Sequence, residues 1–460
     1  MSKIKITKKD LLTSIKGVCD IEEPKYFAYQ GLFEKASEIA LYYGFRPIEL
    51  PTLEKEILYE TSIGTGTDTV EKELCSFKMK NDRVTLRPEG APCAMRAYIE
   101  HNMQTRPQPV MLYHYGSFFQ NKKGNENKKE SKHFGLEILG TSKSVADATV
   151  IKVSVTILKE AGFKDLRIQI NSIGDKESRQ AYTKELVSFY KKNLSEICPV
   201  CRDRLKTNPL QLLTCSNEKC QKVRTKAPDS ISFLSAPAKN HFREVLEYLD
   251  AMELPYEIDS SLIPKSNYYN QTIFNIIEFV KKEEKEEEIT KEDDFKEKNK
   301  DEDKKSTEEK TEINIPIILA RGGRYDNLAK QLGHKKDVPS VCATIEIDSI
   351  IESPSHKPIT SRMQKKPKVY FIQLGFDAKL KSLFVIETLR VAHIPIMQSL
   401  AKDRLSSQLA IVEKLNIPYT IILGQREALD NTVIIRNMET RSQDTVSIDK
   451  LSDYIKSKIK

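Results

Sequence analysis

The chain has 460 residues, of which 39% are hydrophobic and 30% are charged. This length allows about two to four domains, and the composition is that of a rather polar, soluble globular protein. No run of about 18 apolar residues occurs, which excludes an ordinary membrane-spanning helix, and the basic N-terminus lacks the apolar stretch of a secretory signal.

Charge is unevenly distributed along the chain. The net charge is +8, but residues 281–312 contain 15 acidic residues and 10 lysines, so this segment carries −5 and the remainder carries +13. A basic remainder permits contact with nucleic acid without establishing it. The segment has too few apolar residues to offset the entropy lost on ordering, which predicts a solvated, disordered insertion, with a binding tail as the alternative.

Helices and strands alternate in the first part of the chain. At 24–45, residues such as Phe27, Leu32 and Ala36 recur at helical spacing. The further predicted elements, in chain order, are an extended edge at 46–54, strand 83–87, helix 92–103, strands 109–119 and 134–140 around a polar loop, helix 145–161, strand 166–175, helices 176–193 and 241–252, and strands 268–274 and 315–320. This pattern predicts a mostly antiparallel α+β core over residues 1–352.

Four of the eight cysteines cluster within 176–240, which we interpret as an inserted segment. They occur as CPVC (198–201) and CSNEKC (215–220), a spacing that favours a structural zinc site formed by Cys198, Cys201, Cys215 and Cys220. The alternative is a set of free, buried thiols. This cysteine usage also indicates a reducing compartment, and we expect a cytoplasmic protein.

A second unit is predicted after a linker at 353–367 that is rich in Pro, Ser and Lys. Over 368–460, strand, helix and strand patterns follow each other at short intervals, which indicates a small, partly parallel α/β sheet.

Six motifs occur in an order that resembles histidyl-tRNA synthetase, a class II aminoacyl-tRNA synthetase. They are TSIGTGTDTVEKEL (61–74), TLRPEGAPCAMRAYIEH (85–101), FGLEILG (134–140), INSIGD (170–175), YYNQTIF (268–274) and GGRYDNL (322–328). The last 90 or so residues look like the anticodon-binding domain of that family. The resemblance implies a class II antiparallel catalytic core, a homodimer formed through about residues 24–55, and tRNA as a partner.

The resemblance also implies an amino-acid pocket. It places Glu89 and Glu137 in this pocket, with Tyr268 and Tyr269 lining the side-chain end, and Ala91 where the family has threonine. A zwitterion with an imidazole needs acceptors for its ammonium and polar partners for its ring, which these residues supply. Alternatively, Glu137 is a solvent-facing strand carboxylate and the tyrosines belong to the core.

Three arginines that the family uses at the nucleotide are absent. Gln120, Pro264 and Ser349 stand at their positions, and Glu346 stands where a glycine is usual. Attack of a carboxylate on the α-phosphate of ATP brings two anions together, and it requires fixed cations. The glutamine of the family's second-motif loop is displaced, with His133 near its position.

Three functional hypotheses follow from this comparison. We favour a non-catalytic paralogue that binds tRNA, histidine or both. An active histidine–tRNA ligase, with ATP and Mg²⁺, would need substitute phosphate ligands, for which the candidates are Lys122, Lys123, Lys128, Lys129 and Lys265. A regulatory subunit of histidine biosynthesis is the third hypothesis, disfavoured because such regulators generally lack the C-terminal domain.

Overall fold

The structure, a computed structural model, describes residues 12–64, 67, 69–121, 128–264, 266–282, 313–401 and 404–458. Its Cα positions divide into two units, residues 1–361 and 362–460. The candidate phosphate ligands Lys122, Lys123 and Lys265 lie outside the described residues. So does the charged segment from residue 283 to residue 312.

Eleven strands are found in the described part of the first unit. They are β1 (Arg46–Pro47), β2 (Leu53–Lys55), β3 (Cys75–Met79), β4 (Asp82–Leu86), β5 (Val110–Phe119), β6 (Glu130–Leu139), β7 (Leu166–Ser172), β8 (Tyr256–Ile258), β9 (Asn270–Lys282), β10 (Ile313–Arg324) and β11 (Ser340–Glu346). Eight of them form one sheet in the order β1-β5-β6-β11-β10-β9-β7-β8, in which only the outermost pair at each edge is parallel. A small second sheet has the order β2-β4-β3.

The helices of this unit are α1 (Lys25–Tyr42), α2 (Glu56–Ile63), α3 (Ala91–Glu100), α4 (Ser144–Glu160), α5 (Lys176–Lys192), α6 (Pro199–Thr207), α7 (Glu218–Arg224), α8 (Ala236–Ala251), α9 (Leu328–Gln331) and α10 (Ile347–Glu352). The main core lies between the large sheet and helices α1, α4 and α8. On β6 the core takes Phe134, Leu136 and Ile138. Because side chains alternate along a strand, His133 and Glu137 face the opposite side of the sheet.

Two predicted boundaries differ from the structure. The polar loop after Phe119 is shorter than expected, because β6 begins at Glu130 and its first residues pair with the end of β5. The charged segment was predicted to begin at residue 281, but Lys281 and Lys282 extend β9 by pairing with Asn314 and Ile313. Backbone pairing does not depend on hydrophobic side chains, so composition alone misplaced both limits.

The second unit contains the predicted small α/β sheet. Its elements are β12 (Val369–Gln373), α11 (Phe376–Val391), β13 (Ile396–Gln398), α12 (Leu405–Lys414), β14 (Tyr419–Leu423), α13 (Gln425–Leu429), β15 (Thr432–Asn437), β16 (Gln443–Ser447) and α14 (Leu451–Lys458). The strand order is β13-β12-β14-β15-β16, parallel across the first three and antiparallel across the last three. The predicted fold class, an antiparallel α+β core with a small α/β domain, is confirmed.

Among the described residues, none of the helices is long and apolar enough to cross a membrane.

Candidate functional site

A cleft of about 870 Å³ opens on the face of the large sheet that is opposite helices α1 and α4. Strands β6, β9, β10 and β11 supply its floor, and the segment before α3 supplies one wall. The sequence-predicted residues that line it are Glu89, Ala91, Gln120, Lys128, Lys129, His133, Pro264, Tyr268, Tyr269, Glu346 and Ser349. Residues more than 250 positions apart in the chain therefore meet in one place.

Glu89 lies in the turn between β4 and α3, at the wall of this cleft. Ser266 Oγ donates towards both carboxylate oxygens, at 3.4 and 3.3 Å. Burial raises the pKa of Glu89 to about 7. Hydrogen bonds from Tyr268 and Ser266 lower this pKa, and the neighbouring carboxylate of Glu137 raises it. A carboxylate of this kind gains stability when a cation binds beside it.

Glu137 has a different position from that of Glu89. It is only 2% exposed and is not among the residues that line the cleft. The hydroxyl of Tyr325 donates a short hydrogen bond to its Oε2, and His114 Nε2 lies 3.5 Å from its Oε1. Glu137 is therefore not a solvent-facing carboxylate, because Tyr325 and His114 lie against its two oxygens.

Tyr325 and His114 were not predicted as site residues from the sequence. Tyr325 lies within the GGRYDNL motif, which was a usable signal. His114 lies within an apolar strand pattern and gave none. His114 is only 3% exposed, and its ring packs against the backbone of Gly90 and Gly135. A side chain at either glycine would collide with the ring, because its Cβ would lie within 2.4 Å of His114 Cε1.

The paired tyrosines form the inner wall of the cleft. The ring centroids of Tyr268 and Tyr269 are 4.5 Å apart, and Tyr268 also meets Tyr325 edge-on at 6.0 Å. Burial raises the pKa of both paired hydroxyls well above the ordinary value, so they are neutral donors at physiological pH. Arg179 Nη1 donates to the carbonyl oxygens of Asn267 and Tyr269, which holds this segment in place.

Cations in the cleft are matched by acids. The described lining residues include five basic side chains, Lys128, Lys129, Arg179, Arg204 and Arg321, and five acidic ones, Glu73, Glu89, Glu346, Asp348 and Glu352. Lys128 Nζ lies 3.1 Å from both Asp348 and Glu352. With Glu89 ionised, the five acids balance the five bases, so the described lining then has no net charge to attract a triphosphate.

Arg321 and Glu346 form an ion pair on the floor of the cleft. Arg321 Nε is 3.0 Å from Glu346 Oε1, and His133 Nε2 is 3.0 Å from Glu346 Oε2. The sequence indicated Glu346 as an acidic residue where a glycine is usual, whereas Arg321 was not predicted as a site residue. Only the pairing of β10 with β11 shows that these two charges meet.

The four clustered cysteines converge. Their sulfur atoms all lie within 4.8 Å of one another, with 3.9 Å between Cys198 and Cys215 and 3.8 Å between Cys201 and Cys220. A tetrahedral zinc–thiolate site with bonds of about 2.3 Å separates its sulfurs by about 3.8 Å, so this cluster could hold a metal ion. The segment between Cys201 and Cys215 contributes Asn208, Gln211 and other residues to the wall of the cleft.

Comparison with known proteins agrees with this architecture. The family model described as "Histidyl-tRNA synthetase" matches residues 17–286, and the "Anticodon binding domain" model matches residues 368–458. Two relatives named histidine–tRNA ligase, from Dehalococcoides mccartyi and Caldicellulosiruptor saccharolyticus, are 32% and 30% identical. The alignments cover 97% and 96% of this chain and 99% of each relative.

Solved structures agree at the level of the fold. Apo histidyl-tRNA synthetase from S. aureus superimposes with a TM-score of 0.71 at 24% identity, over 98% of this chain and 99% of that one. A Bacillus halodurans C protein named "ATP phosphoribosyltransferase regulatory subunit/histidyl-tRNA synthetase" gives a TM-score of 0.57 at 15% identity, over 91% and 99%. On the match of the family model and the full-length relatives, the chain belongs to the histidyl-tRNA synthetase family.

Proposed function

We propose that this chain is a non-catalytic member of its family that binds tRNA, histidine or both and does not activate the amino acid. The observation that carries the proposal is the charge arrangement of the cleft. Gln120, Pro264 and Ser349 line it where the family has arginines, and its described cations are matched by acids.

Activation would join the histidine carboxylate to the α-phosphate of ATP and release pyrophosphate. Negative charge grows on the phosphate during this step, so rate depends on fixed cations. Arginine is the best suited residue for this role, because its planar guanidinium group can bind two phosphate oxygens at once. Neither glutamine, proline nor serine carries a positive charge, and proline also lacks a backbone donor.

The alternative is an active histidine–tRNA ligase that uses lysines. Lys128 and Lys129 do line the cleft, but Lys128 is within 3.1 Å of two carboxylates and would have to leave them to bind phosphate. ATP and Mg²⁺ would be cofactors only under this alternative.

The third hypothesis is a regulatory subunit, a role that the name of the B. halodurans protein includes. At 15% identity that likeness shows the fold alone. The second unit of this chain, which matches the anticodon-binding model, favours tRNA binding instead.

Pyrophosphate exchange tests the proposal. Purified protein is incubated with ATP, labelled pyrophosphate and histidine, and a catalytic relative run in parallel is the control. We expect no histidine-dependent exchange above the protein-free background. Exchange at a rate ordinary for a ligase would refute the non-catalytic assignment and favour the lysine-based alternative. Binding of tRNA-His and of histidine is measured separately, so that loss of catalysis is distinguished from loss of the pocket.

We also propose a homodimer formed through α1 and the strands after it. Large apolar side chains are exposed there, among them Tyr42 at 82%, Leu41 at 46% and Leu53 at 41%. Exposed apolar surface of this kind is typical of a protein interface.

We propose zinc as the metal of the four-cysteine cluster, because four thiolates at tetrahedral spacing favour this ion. The role would be structural, since four protein ligands leave no open position. None of the eight cysteines forms a disulfide bond, which supports the cytoplasm as the compartment.

A further inference from the structure

We propose that Arg321 binds the carboxylate of a free amino acid whose ammonium is bound by Glu89. The inference rests on the proposed function, because it assumes that the cleft holds an amino acid. It assigns a binding role to a residue outside the predicted set.

The strand register places Arg321 on the floor of the cleft. Its partners across the sheet are Thr344 on β11 and Asn275 on β9, and all three residues line the cleft. Ala320, the preceding residue, belongs to the core on the opposite face. Alternation along the strand therefore directs Arg321 into the cleft, where its side chain is 31% exposed.

Glu346 forms an ion pair with one edge of the guanidinium. Its Oε1 lies 3.0 Å from Nε of Arg321, although Nε has no partner in hydrogen-bond geometry within the described residues. Within the described part of the chain, the terminal nitrogens Nη1 and Nη2 have no hydrogen-bond partner. These two nitrogens form the edge that grips a carboxylate through a pair of parallel hydrogen bonds.

Glu89 and Arg321 act on the same space. Both residues line the cleft, and the positive charge of Arg321 lowers the pKa of Glu89, although burial and hydrogen bonds affect that pKa more. The ammonium and the carboxylate of an α-amino acid are attached to one carbon, and their protein partners must therefore share one pocket. Arg321 shares this pocket with two acids, Glu89 and Glu346, so there is no excess of positive charge, which suits a zwitterion better than a nucleotide triphosphate.

The test compares histidine with histidinol, which has an uncharged alcohol in place of the carboxylate. Calorimetric binding to the full-length protein is measured for the wild type, Arg321→Gln and Lys132→Gln. Lys132 is the matched control, because it is paired with Glu130 on β6 and does not line the cleft. Arg321→Lys keeps the positive charge but loses the two terminal nitrogens that can bind a carboxylate together.

In the wild type, histidine should bind about 10-fold or more tighter than histidinol, the range expected for charge-assisted hydrogen bonds. Arg321→Gln should weaken histidine by about 10- to 100-fold and histidinol by less than about 3-fold, so that the discrimination disappears. Arg321→Lys should retain part of the preference for histidine over histidinol, and Lys132→Gln should retain all of it. Circular dichroism establishes that each variant is folded.

Two results would overturn the assignment of Arg321. One is discrimination that survives in a folded Arg321→Gln protein. The other is a loss of ATP binding, with histidine binding unchanged, which would make Arg321 a phosphate ligand. Failure of the proposed function gives different results: exchange activity contradicts the non-catalytic assignment while leaving the role of Arg321 intact. No binding of histidine to the wild type rejects histidine as a ligand and this inference together.

Discussion

Glu89 is the residue whose ionisation should set the pH dependence of ligand binding. Its pKa is raised to about 7, mainly by burial, so the carboxyl group is largely neutral below that pH and charged above it. A bound ammonium requires the charged form. We therefore expect the affinity for histidine to fall by about tenfold per pH unit below pH 7 and to level off above pH 8.

Calorimetry from pH 5.5 to pH 8.5 measures this dependence. The histidine imidazole titrates in the same range, so Glu89→Gln serves as the control for the ligand's own protonation. The variant should bind more weakly and show only the ligand's contribution. An identical pH profile in wild type and variant would mean that Glu89 does not bind the ammonium.

Arg324 is the residue whose loss should cost the most stability. It is 1% exposed and forms a buried ion pair with Asp147, which is fully buried, and its Nη1 donates to the carbonyl of Thr141 at 2.8 Å. Arg324→Met leaves the Asp147 carboxylate in the core without its main partner. Removing one member of a buried pair typically costs about 3–5 kcal/mol, and we expect this loss in the free energy of unfolding.

Urea unfolding followed by circular dichroism measures the change, since the chain has no tryptophan to serve as a fluorescence probe. Arg243→Ala is the matched control in the same unit. Its partner Glu247 is 3.5 Å away and both side chains are about two-thirds exposed, so the loss should stay below about 1 kcal/mol. Equal effects of the two substitutions would argue against the buried pair as a stabilising element.

At the level of elements, the four clustered cysteines come from three separate parts of the backbone. Cys198 and Cys201 flank the start of α6, Cys215 follows a short turn, and Cys220 lies in α7. We expect about one zinc per chain in protein purified without chelator. Cys215→Ser should lose the metal and expose the segment to protease, because zinc coordination supplies folding free energy to small segments.

Metal analysis and limited proteolysis check this prediction. Cys19→Ser is the control, because Cys19 is exposed and lies outside the cluster. Wild-type protein without zinc, with four thiols that titrate freely, would reject the site.

The charged segment connects two strands that already pair with each other. Lys282 lies opposite Ile313, so the chain on both sides of residues 283–312 continues the β9–β10 hairpin. Replacing these residues with Asn-Gly should leave the melting temperature within about 3 °C, because a shorter closure changes loop entropy only modestly. A melting temperature more than 10 °C lower, measured by scanning calorimetry, would indicate that the segment packs against the fold.

At the scale of the whole molecule, light scattering tests the proposed dimer. The mass at micromolar concentration should be twice the chain mass of 52.7 kDa. Leu53→Glu, at a 41% exposed position on β2, should shift the equilibrium towards monomer, because it places a charge within the apolar interface. Leu429→Glu, at a 79% exposed position in the second unit, should not. A monomeric wild type would contradict the interface.

The sequence alone determined the order and type of most elements, the two-part organisation, the family resemblance and the cysteine cluster. These are local signals: apolar spacing predicted α1 (Lys25–Tyr42), and two close cysteine pairs predicted a cluster whose sulfurs do meet. It also predicted that Gln120, Pro264 and Ser349 stand where the family has arginines, and the structure brings all three to one cleft.

Only the tertiary structure decided which charges meet. Arg321 and Glu346 are 25 positions apart and become neighbours through the β10–β11 register, and Glu137 is enclosed because β6 places it against Tyr325 and His114. A slip of one residue in either register would turn these side chains to the other face of the sheet. Register depends on hydrogen bonds between distant strands, which is why local sequence patterns did not reveal the ion pair that shapes the site.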